Sequence, residues 1–267
     1  MKWVFISAIS INISLANIIH ETGELSEFLG GNSPGSAYDN WVSHVTEGIA
    51  SEGFNDYGPD WLDVQTTGFG NYNKLESGDP ILSYWEDIFS GFILGDTTLV
   101  DSLLQDSVES FYYELVIFED TVYNQVFHII REQLDTSFID INQSDNDLDD
   151  VVGSFRNGWG MYIINPQATR EQVIVQVPHP CDDFIAPYIA MDIFLETNAF
   201  AFMINGAGRE VLWTEVGNYS NSKSLSDPSR YPNTIFQKFQ EVAVHPLVGI
   251  DPHWPLVFAI HSFDNES

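Results

Sequence analysis

Residues 171–194 read EQVIVQVPHPCDDFIAPYIAMDIF and hold the patterns of a strand and of a helix in direct succession. The β-branched run EQVIVQV favours a strand. That strand has to end at the Pro-His-Pro turn around His179, because proline donates no backbone hydrogen bond to a neighbouring strand. Farther on, Ile189, Ile193 and Phe194 fall on one side of a helix. A strand followed at once by a helix is typical of an α/β fold.

The same alternation continues on both sides of this stretch. WGMYIINP and EQVIVQVP predict two strands, joined by a hairpin over NPQATR. AFAFMIN and PLVFAIHSF predict further apolar strands, and PNTIFQKFQEVAVH predicts a helix between them. Strands and helices at this spacing indicate an α/β fold whose mixed, largely parallel sheet is flanked by helices.

The chain divides into three predicted regions. Residues 1–16 combine Lys2 with a short apolar run and small residues at a cleavage position, which predicts a signal peptide and a secreted or periplasmic protein. Residues 17–150 predict an acidic, aromatic-rich region that is partly helical and wraps around the core. Residues 151–267 predict the α/β core, for which C-terminal truncation is one expectation.

The N-terminal region has its own patterns. Trp41, Phe54, Tyr57 and Trp61 are predicted to anchor it on the core. Helical periodicity is expected over residues 81–131, with one of two threonines, at 97 and 98, as an N-cap. The run YYELVIFED inside that range is also compatible with a strand.

The charge balance restricts the classes of partner. Thirty-nine Asp and Glu against nine Lys and Arg give a formal net charge of −30. Such a surface repels phosphate groups, so nucleic acid and anionic lipid are excluded as partners, and no membrane contact is expected after signal cleavage. Cys181 is the only cysteine, so an intramolecular disulfide is excluded. Export without a disulfide favours a bacterial protein.

The acidic segment DINQSDNDLDDV, residues 140–151, resembles the start of a calcium-binding loop. A loop of the EF-hand type needs Gly at its sixth position and a bidentate Glu at its twelfth. Asp145 and Val151 stand there instead. The segment is therefore interpreted as a solvated acidic loop.

Polar groups follow three of the predicted strands at the point where each one ends. His179 follows the first strand, residues 205–209 with Arg209 follow the second, and His261 follows the third. In open α/β sheets ligands bind beyond the carboxyl ends of the strands. Two imidazoles and an adjacent carboxylate, Asp182 or Asp183, are the ligand types of a catalytic zinc site, in which a bound water becomes the nucleophile.

At these residues the sequence resembles a known superfamily. VQVPHPCDD, MINGAGRE, SDPSRYPNTIFQKFQ and FAIHSF look like the metal-site elements of secreted bacterial relatives of zinc carboxypeptidases and N-formylglutamate amidohydrolases. The resemblance covers about the last 110 residues. It implies His179, Asp182 and His261 as zinc ligands, with Asp183 competing for the carboxylate role. It also implies Arg209 as the arginine that binds the substrate.

Two departures from the superfamily pattern bear on the site. The carboxylate is Asp where the superfamily has Glu, which has a longer reach. The superfamily's catalytic carboxylate commonly follows the third ligand, and here Asp264 is the acid in that place. Either Asp264 is the general base, or the base comes from elsewhere in the fold, or the chain is an inactive form.

These observations predict a secreted zinc-dependent hydrolase that cleaves an amide or peptide bond in a carboxylate-bearing substrate, such as a small peptide or an N-acyl amino acid. The alternative from another class is a non-catalytic secreted module that binds a ligand or partner. Phosphoester hydrolysis at the same metal site is a third reading. Structural roles also remain open, with His179 as a strand cap and Arg209 in a salt bridge.

Overall fold

The computed structural model describes residues 18–26, 72–106, 112–133, 156–180, 183, 186–207, 225–244 and 255–261. Within these ranges lie seven strands and four helices. The strands are β1 (Ile19–Gly23), β2 (Tyr113–Asp120), β3 (Gln125–Glu132), β4 (Met161–Ile164), β5 (Arg170–Val177), β6 (Ala199–Ile204) and β7 (Leu256–Ala259). The helices are α1 (Pro80–Ile93), α2 (Thr97–Asp106), α3 (Ala186–Thr197) and α4 (Ile235–Val244).

The strands form one mixed sheet in the order β1-β2-β3-β4-β6-β5-β7. The pairs β1–β2, β5–β6 and β5–β7 are parallel, and the three pairs between β2 and β6 are antiparallel. The predicted α/β fold with a mixed sheet and flanking helices is confirmed. The sheet is not largely parallel as predicted, because three of its six strand pairs are antiparallel. Its parallel part is concentrated around β5, the strand that ends at the Pro-His-Pro turn.

Two further details of the prediction were wrong. β4 and β5 do not form a hairpin, because β6 lies between them and pairs with both. The periodicity over 81–131 is helical only as far as Asp106, and β2 and β3 follow. Both errors have one cause: a short apolar run does not reveal which strand it pairs with, nor always whether it is a strand. The strand alternative for YYELVIFED was the right one.

The sheet combines strands from both sides of residue 150, because β1, β2 and β3 precede that position. The signal segment 1–16, the four aromatic anchors and the acidic loop 140–151 lie outside the described residues. Among the described helices, none has the length and apolar character that a membrane span requires.

Helices cover both faces of the sheet. On one face Phe194 of α3 packs in a cluster with Val175 of β5 and Phe202 of β6. On the other, Phe89 of α1 and Phe239 of α4 lie in a second cluster and their rings contact each other at 5.0 Å. Successive side chains of β5 alternate between the two clusters, as the period of two in a strand requires. The second half of β5, from Val173 to Val177, is therefore covered on both faces of the sheet.

The backbone beyond β6 passes very close to the segment before β4. A Cβ built on Gly206 would lie 2.5 Å from the backbone nitrogen of Gly160, and Gly160 itself has a φ of +103°. Only glycine tolerates both the close approach and the positive φ. These two glycines fix the position of the chain as it leaves β6 toward Asn205.

Candidate metal centre

Parallel pairing of β5 and β7 places two histidines side by side. Gln176 of β5 pairs with Ala259 of β7, and the backbone N–H of Ile260 donates to the oxygen of Gln176 at 3.0 Å. His179 lies three residues beyond the first of these partners, and His261 lies two residues beyond the second. Their rings consequently lie with centroids 5.0 Å apart. The predicted convergence of these two strand ends is therefore present in the structure.

A tight turn then carries an aspartate back to the histidines. The backbone N–H of Asp183 donates to the oxygen of His179 at 2.9 Å, and that of Ala186 donates to the oxygen of Asp183 at 2.6 Å. This i,i+4 bond is one helical turn, so the side chains of His179 and Asp183 lie on the same side. The turn leads directly into α3.

One carboxylate oxygen of Asp183 lies near the rings of both histidines. Oδ2 of Asp183 lies 2.9 Å from Nδ1 of His261 and 3.6 Å from Nδ1 of His179. Each residue offers a ligand atom, and these atoms all lie within 4.8 Å of one another. His179 and Asp183 are buried, whereas the His261 side chain is 35% exposed. The group is therefore anchored in the protein and accessible from the His261 side.

A second aspartate reaches the site from a distant segment. The backbone N–H of Asn205, after β6, donates to the oxygen of Val177 at 3.0 Å. Its side-chain amide donates to the oxygen of Ser226 at 3.1 Å. Asn205 thus attaches the segment that precedes α4 to the end of β5. Asp227, the next residue along that segment, is 2% exposed and faces His179.

Asp227 holds the imidazole of His179 in one orientation. Its Oδ1 lies 2.9 Å from Nε2 of His179 and accepts from the N–H of Ser229 at 2.8 Å. Burial alone would raise the pKa of Asp227. The hydrogen bond and the charge of His179 lower it, and the N–H of Ser229 and the charge of Arg230 lower it further. The pKa of Asp227 therefore lies below its ordinary value. An ionised Asp227 only accepts, so Nε2 of His179 carries the proton. When the His179 ring is neutral, Nδ1 is the nitrogen with the lone pair, and it faces Asp183.

The donor set and its support are of a kind that could hold a metal ion. Two imidazole nitrogens and one carboxylate oxygen are a catalytic zinc ligand set, and they leave a fourth position open. With bonds of about 2.0–2.1 Å, tetrahedral ligand atoms lie roughly 3.4 Å apart, so only small side-chain shifts are needed. Metal-bound histidines usually donate their other ring N–H to a carboxylate, as His179 does to Asp227. The group could therefore hold a metal ion.

Asp227→Asn is expected to weaken zinc binding by about 10- to 100-fold, the usual effect of losing such a supporting carboxylate. Asparagine keeps an acceptor oxygen but has no charge to hold His179 in the Nε2–H form. The Kd is measured by competition with a zinc-binding dye. Glu119→Asn, on the exposed side of β2, serves as the control. Equal affinities in the wild type and the Asp227 variant would contradict this role.

The structure sorts the predicted site residues into two groups. His179, Asp183 and His261 come together. Asp182, Arg209 and Asp264 lie outside the described residues, so their roles stay predictions.

Sequence reasoning did not single out Asp227 or Arg230. Arg230 Nε lies 3.4 Å from Oδ2 of Asp227, and the Arg230 side chain is 42% exposed. Both stand in the run SDPSR, and the resemblance of that run to metal-site elements was the only signal that pointed to them.

Comparisons of the chain with protein-family models, with curated proteins and with solved structures found no match. The resemblance to zinc carboxypeptidases and N-formylglutamate amidohydrolases therefore stays a prediction from short motifs.

Proposed function

We propose that the protein is a secreted, zinc-dependent hydrolase that cleaves an amide or peptide bond in a small carboxylate-bearing substrate. The observation that carries the proposal is the grouping of His179, Asp183 and His261 at the carboxyl ends of two parallel strands. Secretion is proposed from the signal-like pattern of residues 1–16.

The surroundings of the group favour catalysis over a purely structural metal. A structural zinc site is closed by four protein ligands, whereas the described residues supply three, and the third is partly exposed. A substrate approaching from solvent would meet the His261 side of the group first. When bound, a zinc ion supplies Lewis acidity toward a carbonyl and lowers the pKa of a coordinated water to about 7.

Neighbouring residues orient the histidine ligand and could orient the substrate. Asp227 fixes the ring of His179, and Asn205 fixes the segment that carries Asp227. Arg230 presents a half-exposed guanidinium beside Asp227, and a guanidinium matches the two oxygens of a substrate carboxylate. Among nine cationic residues in a chain of net charge −30, an arginine at this position favours an anionic substrate. Arg209 remains a second candidate for the same role.

The proposal is tested by elemental analysis together with a substrate panel. The wild type is expected to hold about one zinc per chain and to hydrolyse N-acyl amino acids and short peptides with a free carboxylate. Peptides whose carboxylate is amidated should be poorer substrates, because the guanidinium then loses its partner. The double variant His179→Ala/His261→Ala should lose both zinc and turnover.

His20→Ala is the matched control, because His20 is an exposed histidine of β1. It should retain zinc and activity. Absence of zinc in the wild type, even after zinc is added, would overturn the proposal and favour a non-catalytic binding module. Hydrolysis of a phosphoester but of no amide would show that the metal site serves phosphoester hydrolysis instead.

A further inference from the structure

A cavity of about 340 Å³ lies at the β1 side of the sheet, remote in strand order from β5 and β7. It is enclosed by the start of β1, the end of α2, the start of β2 and the residue after β3. This volume is in the range of small-ligand sites and corresponds to roughly ten water molecules. The cavity is large enough for a compact organic molecule.

The lining of the cavity is mixed. Four of its nine lining residues are aliphatic, namely Ile18, Ile19, Leu104 and Leu115, and the other five are polar or aromatic. A ligand that made only hydrogen bonds would leave water against these four side chains. An alkyl chain of a few carbons would displace that water, with a gain in binding free energy of about 25 cal/mol per Å² of apolar surface buried. The mixed lining therefore suits a ligand that combines a short aliphatic part with a polar group.

Charge in the lining has one sign. Asp101 of α2 and Glu114 of β2 both line the cavity, and among its described lining residues there is no Lys, Arg or His. Glu114 is already neutralised, because its Oε1 accepts from Nε of Arg131 at 2.6 Å and its Oε2 from Nε2 of Gln133 at 2.9 Å. The remaining negative charge in the cavity belongs to Asp101.

Asp101 is 7% exposed, which is unusual for a carboxylate. Its Oδ1 accepts a hydrogen bond from Nε2 of Gln105 at 2.7 Å. The Gln105 amide is neutral, and in the described part of the chain Asp101 has no cationic partner. A buried carboxylate without a counter-charge is costly, so a ligand that brings a positive charge would be favoured here.

We propose that this cavity is a binding site for a small organic cation, a primary ammonium group on a short aliphatic chain. The ammonium group would pair with Asp101, and the chain would lie against the four aliphatic side chains. The site is separate from the metal group and does not depend on the proposed hydrolase activity. It adds a ligand of opposite charge to the anionic substrate proposed for the metal centre.

The probe is hexylamine, which is protonated at pH 7 because aliphatic amines have a pKa of about 10. Titration calorimetry on chelator-treated protein excludes binding of the amine to a metal. We expect one site per chain, and an affinity for hexylamine about 10-fold or more above that for hexanol, which has the same chain without the charge.

Asp101→Asn keeps an acceptor for Gln105 and removes only the charge, so it should lower the affinity for hexylamine by about 10-fold or more. Asp87→Asn on the exposed face of α1 removes the same charge from the surface and should leave binding unchanged. Equal affinities for hexylamine and hexanol, equal losses in both variants, or no binding at all would each overturn the proposal. The comparison of the two probes in the wild type remains decisive if Asp101→Asn does not fold.

Discussion

Asp183→Ala is expected to raise the Kd for zinc by roughly 100-fold or more, since loss of even a supporting group outside the ligand shell costs 10- to 100-fold. The carboxylate of Asp183 lies between the two imidazoles, 2.9 Å from Nδ1 of His261. Without it the group has two neutral ligands and no negative charge to offset the metal ion. Titration with a zinc-binding dye as competitor measures the effect.

Asp182→Ala is the matched control, because it removes the carboxylate that stands next to Asp183 in the sequence. The motif reasoning favoured Asp182 by its spacing from His179, whereas the structure brings Asp183 into the group. We therefore expect Asp182→Ala to retain zinc. Retention by Asp183→Ala with loss in Asp182→Ala would assign the ligand role to Asp182 instead. Circular dichroism of both variants verifies that the turn into α3 still folds.

The unfolding free energy is expected to fall by about 3 kcal/mol between pH 4.5 and 8 because of Glu132 alone. Burial raises the pKa of this carboxyl from 4.5 to about 7, against the opposing effect of backbone N–H groups that favour the charged form. Glu132 is 0% exposed. It accepts from the N–H of Asn157 at 2.5 Å and from that of Gly158 at 2.9 Å.

The direction of the pH effect follows from proton binding in the two states. Because the folded-state pKa lies above the unfolded one, the folded protein binds more protons between pH 4.5 and 7. The stabilising contribution is therefore fully present below about pH 4.5 and is lost as the pH rises through about 7. At higher pH, Glu132 contributes no further change of the unfolding free energy with pH.

Urea denaturation of the wild type and of Glu132→Gln from pH 5 to 8 measures this contribution as a difference. The Gln side chain does not titrate, so the wild type should lose free energy relative to the variant as the pH rises. Glu119→Gln, on the exposed face of β2, should leave the pH dependence of the wild type unchanged. Parallel curves for the wild type and Glu132→Gln would show that the carboxyl of Glu132 titrates alike in the folded and unfolded states.

Glu132 also lies at the start of a chain of contacts that leads to the metal group. Its oxygens hold residues 157 to 159, which lead into Gly160, and Gly160 lies against Gly206 just after Asn205. Asn205 in turn binds the carbonyl of Ser226, next to Asp227. Loss of the Glu132 contacts is thus expected to disturb the segment that supports His179.

The local patterns of the sequence determined most of the individual elements. A β-branched run predicted β5, an apolar run predicted β6, and apolar periodicity predicted α2, α3 and α4. Periodicity works because the side chains that must be buried recur with the period of the element itself. The Pro-His-Pro turn marked the end of β5 at His179 for an equally local reason, the missing N–H of proline. From the acidic composition alone we also expect no nucleic acid or anionic lipid as a partner, and that expectation stays a prediction.

The partners of those elements were decided only in three dimensions. β6 enters between β4 and β5, and nothing in the alternating pattern of a strand specifies its neighbour. Asp227 meets His179 across 48 residues of sequence, through an attachment by Asn205 that has no sequence signature of its own.

The placement of Asp183 shows the same division at the scale of one turn. Both carboxylates follow His179 closely enough to reach it, so spacing alone left the two open. The hydrogen bond from the N–H of Asp183 to the oxygen of His179 closes a helical turn and brings that side chain back to the histidines. The sequence supplied the ligand types, and a backbone hydrogen bond of the folded chain placed Asp183 beside His179 and His261, because side-chain direction depends on backbone conformation.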